Sequence, residues 1–165
     1  MSQRRVSLLR HGHALAFAEA GDFDRALDAR GQREAIDAAH RLATLDEPDV
    51  ILVSSARRTR ETAATVLAEL ARPLGDMRLE PALYLADLAT LQSTIAKLAD
   101  TQRHALLIGH NPGLSDLAFE WLTGEIGAPP FNGLATGGLC SVLFEADRWR
   151  DVGAENIVAS SYHSL

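Results

Sequence analysis

A chain of 165 residues, 47% hydrophobic and 23% charged, has the balance of a globular protein. One domain spanning residues 1–165 is expected, burying roughly 70% of the surface its unfolded form exposes. An excess of acidic over basic side chains, 22 against 16 for a net charge of −6, disfavours a nucleic-acid partner, whose binding draws on clustered cations. The apolar stretch Val6–Leu9 is too short for a secretory core or a membrane span, and the lone Cys140 excludes an internal disulfide. A cytoplasmic protein with no membrane partner is expected.

In chain order, Arg5–Leu9 is an apolar run with the look of a buried strand, ending at Arg10-His11-Gly12. A polar, alanine-rich loop covers Gly12–Leu27. Asp28 is suited to cap a helix with apolar positions Ala35, Ala39, Leu42 and Leu45, which Pro48 stops. Val50–Val53 is a second buried strand, closed by Ser54 and Ser55. The next helix carries Ala63, Val66, Leu67 and Leu70 on one face, and Arg78–Tyr84 is a weak extended segment. Leu88, Leu91, Ile95 and Leu98 mark a third amphipathic helix. Ala105–Ile108 is another strand, after which Asn111 would cap a fourth helix with Pro112 in its first turn and Leu114, Leu117, Ala118 and Trp121 facing inward. Gly124–Gly138 is a long glycine- and proline-rich loop of the kind that often carries function. Leu139–Phe144 and Asn156–Ala159 close the chain as strands, one of them antiparallel at a sheet edge. This alternation predicts a three-layer α/β/α sandwich around a mostly parallel sheet.

Three strands end in residues suited to an oxyanion: Arg10-His11-Gly12, Ser54 with Arg58 shortly after it, and His110. In a parallel sheet the carboxyl ends of strands line one crevice, so residues distant in sequence can meet there. The helix N-termini after Ser55 and Asn111 add free N–H groups and positive dipole ends. Arginines bind phosphate oxygens bidentately and stay charged, which suits Arg10 and Arg58 as clamps. A neutral imidazole can attack phosphorus, and nearby arginines favour the neutral ring, so either His11 or His110 could be the nucleophile. Gly12 removes a Cβ beside His11, letting the backbone turn tightly around an anion.

Arg57, Arg60 and Arg25 read as surface residues, Cys140, Trp121 and Trp149 as core, and His13, His40, His104 and His163 as histidines without a catalytic part. Two other functional classes fit some of these residues. His11-x-His13 has metal-ligand spacing, as in a metal-dependent hydrolase. A non-catalytic module that only binds phosphorylated partners would keep the same pocket.

Taken together, the motifs resemble the histidine phosphatase superfamily, which has the phosphoglycerate-mutase-like fold. They are Leu8-Leu9-Arg10-His11-Gly12, the run from Ser54 to Ala63 with Arg58, and Gly109-His110-Asn111-Pro112. The short chain is most similar to SixA-type phosphohistidine phosphatases, whose patterns resemble Leu27-Asp28-Ala29-Arg30-Gly31, Leu83-Tyr84-Leu85-Ala86, and Thr136-Gly137 with Trp149. The resemblance implies that His11 becomes transiently phosphorylated while Arg10, Arg58 and His110 hold the phosphoryl group. Gly12, Ser54, Asn111 and Thr136 are the expected supporting contacts to substrate. No metal and no cofactor are implied, and the inserted segment of the longer mutases has no counterpart here.

The expected partner is a phosphorylated substrate, with a phosphohistidine-bearing signalling protein foremost and a small-molecule or aryl phosphomonoester as the alternative. Two positions depart from the family pattern. His13 stands where SixA-type sequences often carry an acid. The glutamate that protonates the leaving oxygen in larger members has no matching position, leaving Asp87 as a general-acid candidate by placement only. A missing acid would cost an alkyl ester about 10²–10⁴-fold but spare an imidazole leaving group, so a preference for P–N over alkyl P–O bonds is expected.

Overall fold

Residues on alternate sides of the buried strands divide into two apolar sets, and each set meets its own pair of helices. The computed structural model describes residues 2–123 and 131–164. Its elements run β1 (Gln3–Arg10), α1 (Ala29–Leu42), β2 (Val50–Val53), α2 (Arg57–Glu69), β3 (Met77–Leu79), α3 (Leu88–Ala96), β4 (His104–Gly109), α4 (Gly113–Leu122), β5 (Leu139–Glu145) and β6 (Ile157–His163). Leu9, Ile51, Val53, Leu106 and Ile108 pack on Ala38, Ala39 and Leu42 of α1 and on Ala63, Val66 and Leu67 of α2. From the same strands Val6, Leu8, Leu52 and Leu107 face the other way, toward Leu91 and Ile95 of α3 and Leu114, Leu117 and Trp121 of α4. The period of two along each strand thus builds the three layers.

The sheet order is β3-β2-β4-β1-β5-β6. Pairings from β3 through β1 are parallel, and β1-β5 and β5-β6 are antiparallel. Both closing strands are therefore antiparallel, and only β6 lies at the edge; β5 is interior, which its buried Leu139, Cys140, Val142 and Phe144 require. Asp28 caps α1 as expected, its side chain accepting from Gly31 N. Most of Arg78–Tyr84 does not extend: β3 stops at Leu79 and Pro81–Leu83 forms a 3-10 turn.

Asn111 does not cap α4. Pro112 holds that position after a cis peptide bond, and the Asn111 side chain is spent elsewhere. Of the Gly124–Gly138 loop, residues 124–130 lie outside the described residues, while 131–138 form no helix or strand. Cys140, Trp121 and Trp149 are core residues. No helix among the described residues is long and apolar enough to cross a membrane.

Candidate active site

Parallel register sets Arg10 of β1 beside Gly109 of β4, and Ile108 beside Val53 of β2. The next residues, His11, Ser54 and His110, therefore leave three adjacent strands at one edge, where α2 and α4 also begin.

His11 Nδ1 lies 2.8 Å from the carbonyl oxygen of Gly12. A carbonyl only accepts, so Nδ1 carries the proton and Nε2 keeps its lone pair. Arg58 Nε donates to that Nε2 at 3.3 Å. His110 has the opposite tautomer: Arg58 Nη2 donates to its Nδ1 at 3.2 Å, so its Nε2–H donates to Ser54 Oγ at 2.7 Å. The two rings stand 5.3 Å apart, centroid to centroid. Burial holds both neutral, lowering His11 to about 4 and His110 to about 3, and the positive charge of Arg58 acts in the same direction.

Arg10 approaches from the end of β1. Its Nη1 donates to Leu134 O at 3.0 Å, while Nε, like Arg4 Nε and Arg5 Nε elsewhere, has no hydrogen-bond partner among the described residues. Buried Arg58 and half-buried Arg10, one unprotonated imidazole nitrogen and a second neutral imidazole can bind a phosphoryl group and attack it.

Around this centre lies a supporting shell. Thr62 Oγ1 accepts from Gly12 N at 3.1 Å and donates to Arg58 O at 2.7 Å, tying the first motif to the second. Buried Glu34 accepts from His13 N at 2.7 Å and from Thr136 Oγ1 at 3.1 Å. Gly137 N donates to Arg10 O and His11 O at 3.1 and 3.0 Å. Gly137 has φ +68, and a Cβ there would meet Glu34 Cβ at 2.6 Å, so the position needs glycine.

Arg10, His11, Arg58, Ser54 and His110 therefore come together as expected, with Ser54 bonded to the His110 ring. Other expected positions serve the scaffold. Asn111 Nδ2 donates to Leu134 O at 2.8 Å and its Oδ1 accepts from Ser115 Oγ at 2.6 Å, while Thr136 is bonded to Glu34. Gly12 is required by packing rather than by an unusual turn: it lacks a positive φ, and a Cβ there would lie 2.4 Å from Gly31 O. Asp87 caps α3, accepting from Thr90 N at 2.9 Å, and the Thr90 hydroxyl foremost, with that backbone bond, holds its carboxyl below the usual range.

The His11-x-His13 pair does not act as a unit. His13 Nδ1 is 2.5 Å from Asp28 Oδ2, while the His11 ring faces His110 and Arg58. Among the described residues no group of three or more His, Cys, Asp or Glu side chains is arranged to hold a metal ion. Arg57 and Arg60 are exposed, as expected of solvated helix residues.

Two further residues stand at the site: Asp22, which no motif marks, and Tyr84, which lies in the Leu83-Tyr84-Leu85-Ala86 segment without an expected role there. Asp22, in a 3-10 turn at Asp22–Asp24, accepts from Arg58 Nη1 through its backbone oxygen at 2.8 Å and from Arg58 Nη2 through Oδ2 at 3.1 Å. The same carboxylate accepts from Arg25 Nη1 at 2.9 Å and Tyr84 OH at 2.6 Å. Tyr84 also sets its ring edge-on to His110, 5.4 Å between centroids. These bonds, Tyr84's foremost, hold the Asp22 carboxyl far below its ordinary range. Asp22 sits in an aperiodic loop, where no motif or periodicity marks it.

The model of the histidine phosphatase superfamily (branch 1) matches residues 6–88. Among solved structures the chain is similar to a provisionally named phosphohistidine phosphatase SixA from Agrobacterium tumefaciens, at 33% identity over 84% of this chain and 91% of that one, with a TM-score of 0.70. It is also similar to the protein histidine phosphatase SixA complexed with tungstate, at 25% identity over 97% and 94% of the chains and a TM-score of 0.72. A mycobacterial glucosyl-3-phosphoglycerate phosphatase shares the fold, at 16% identity over 98% and 97% of the chains and a TM-score of 0.65. No curated protein matches significantly. The matched motifs and the paired imidazoles converge on one conclusion: the chain belongs to the histidine phosphatase superfamily, branch 1, and is a phosphatase.

Proposed function

We propose that this single domain, residues 1–165, is a metal-independent phosphohistidine phosphatase that works through a phospho-His11 intermediate on a phosphohistidine-bearing protein. The observation that carries this reading is the His11 tautomer: Nδ1–H is spent on Gly12 O, and the Nε2 lone pair faces the Arg58 guanidinium. Arg58 and Arg10 supply oxyanion donors, and Ser54 fixes the orientation of His110. In the first step the Nε2 lone pair forms a bond to phosphorus while the bond to the leaving group breaks, its electron pair going with the leaving atom. In the second, water attacks phosphorus, His11 departs as neutral imidazole, and dihydrogen phosphate is released.

The Asp22 carboxyl that bonds Arg58 is held below its ordinary range and has no proton to give, which favours leaving groups that need none and hence P–N over alkyl P–O bonds. A cytoplasmic setting fits the buried Cys140. The likeness to a glucosyl-3-phosphoglycerate phosphatase supports a second reading, a small-molecule or aryl phosphomonoesterase using the same His11 chemistry.

One experiment tests both. Wild type and His11→Ala are compared on a phosphohistidine protein, a phosphohistidine peptide, p-nitrophenyl phosphate and a sugar phosphate, each with and without excess chelator. Turnover that depends on His11, ignores chelator and favours phosphohistidine is expected. Equal rates on the sugar phosphate would select the second reading, and chelator-sensitive turnover would overturn the metal-independent mechanism.

A further inference from the structure

We infer that Asp22 is the specificity-determining residue of the site, accepting the distal N–H of a departing imidazole; this rests on the phosphohistidine phosphatase reading above. Burial defines a direction through the site. His11 is 8% exposed and lies at its floor, whereas the Asp22 side chain is 45% exposed and lies at its mouth. Arg58 spans the two, with Nε on His11 and Nη2 on Asp22. A phosphoryl group held by Arg58 and attacked from the floor must expel its leaving group toward the mouth, because displacement at phosphorus runs in line.

The balance of the transfer shows why a carboxylate belongs there. The reactive form of phosphohistidine carries phosphorus on one ring nitrogen and a proton on the other, so the ring is cationic. As His11 Nε2 bonds to phosphorus, the substrate P–N bond breaks and its electron pair returns to the ring, which leaves as neutral imidazole with the distal N–H retained. His11 becomes the cationic phosphoimidazole, its own distal proton already on Nδ1 and given to Gly12 O. The two rings exchange roles, and each needs an acceptor for its distal N–H. Gly12 O serves the enzyme's ring, and Asp22 serves the substrate's.

Asp22 is suited to this in three ways. Arg25 Nη1 and Tyr84 OH anchor its carboxylate independently of Arg58, so it stays in place when a phosphoryl group takes Arg58's hydrogens. Those bonds keep it ionised, favouring the cationic substrate ring. The same fixed negative charge repels a developing alkoxide or phenolate and has no proton to give it, so it selects against P–O esters.

The test is the ratio of kcat/KM for a phosphohistidine peptide to that for p-nitrophenyl phosphate, measured in wild type, Asp22→Asn and, as a second variant, Asp22→Ser. In both variants the ratio is expected to fall roughly 10- to 100-fold, the worth of a hydrogen bond to a charged group. Asp22→Glu, which keeps the carboxylate, restores part of it. Preference for phosphohistidine in wild type with an unchanged ratio in the variants overturns the role of Asp22 alone. A wild type with no preference overturns the phosphohistidine reading and this inference with it.

Discussion

Arg58 Nε donates to His11 Nε2 across 3.3 Å, so the guanidinium touches the very lone pair proposed to attack phosphorus. A resting contact of this kind keeps the imidazole unprotonated, because the arginine cannot accept a proton from it. When a phosphoryl group arrives, the same guanidinium hydrogens are positioned to bind its oxygens. One side chain thus links the resting tautomer to the anion site.

Substitution of Arg58 is therefore expected to be severe. Arg58→Ala should lower kcat/KM about 10²–10³-fold, the usual cost of removing a donor from a developing charge, and Arg58→Lys should recover little because the forked geometry is lost. His11→Ala should abolish both turnover and labelling of the protein by ³²P-phosphohistidine peptide after an alkaline quench, which preserves the P–N bond. Label retained in His11→Ala would place the nucleophile elsewhere.

Ser54→Ala removes the hydroxyl that accepts from His110 Nε2 and leaves a buried donor unpaired. A stability loss of about 1–3 kcal/mol is expected, together with a fall in kcat larger than any change in KM. Thermal melts and steady-state kinetics read the two effects separately. A larger change in KM than in kcat would mean that His110 serves binding rather than transfer.

Gly12→Ala places a methyl group 2.4 Å from Gly31 O, in a contact between two backbone segments with no side chain free to yield. Overpacking of this kind costs about 1–3 kcal/mol, which in a chain of this size lowers Tm by roughly 2–10 °C. An unchanged Tm would show that the Gly12–Gly31 approach is looser than described.

Acid should destabilise the protein through its buried imidazoles. Burial lowers His11 and His104 to about 4 and His110 to about 3, from an ordinary value of 6.5. Across that interval the unfolded chain binds protons that the folded rings refuse, so their contribution is fully present above 6.5 and is lost as pH falls toward their folded values. The slope is about 1.4 kcal/mol per pH unit for each ring. Urea midpoints at pH 5, 6 and 7 should rise in that order, and a flat or inverted series would contradict neutral buried rings.

Much of this was legible because strand ends are conspicuous in sequence. Val50–Val53 is the observed β2 to the residue, since four aliphatic residues between polar neighbours have one economical placement. Arg10, His11, Arg58 and His110 could be grouped in advance because parallel strands deliver their carboxyl ends to one crevice. Asn111 misled because cap propensity is local, whereas its actual partners, Leu134 and Ser115, are set by tertiary approach. Asp22 was illegible for a related reason. Its role exists only once a loop with no periodicity folds over Arg58, and no pattern within the loop encodes that meeting.

The place of β1 has a consequence for how the enzyme is made. The first strand of the chain lies inside the sheet, between β4 and β5, and its neighbours are supplied by residues 104–109 and 139–145. During synthesis it must wait unpaired, with Val6, Leu8 and Leu9 uncovered, until residues 104–145 have left the ribosome. The pocket cannot exist before those strands are made, so products truncated ahead of residue 104 would be inert.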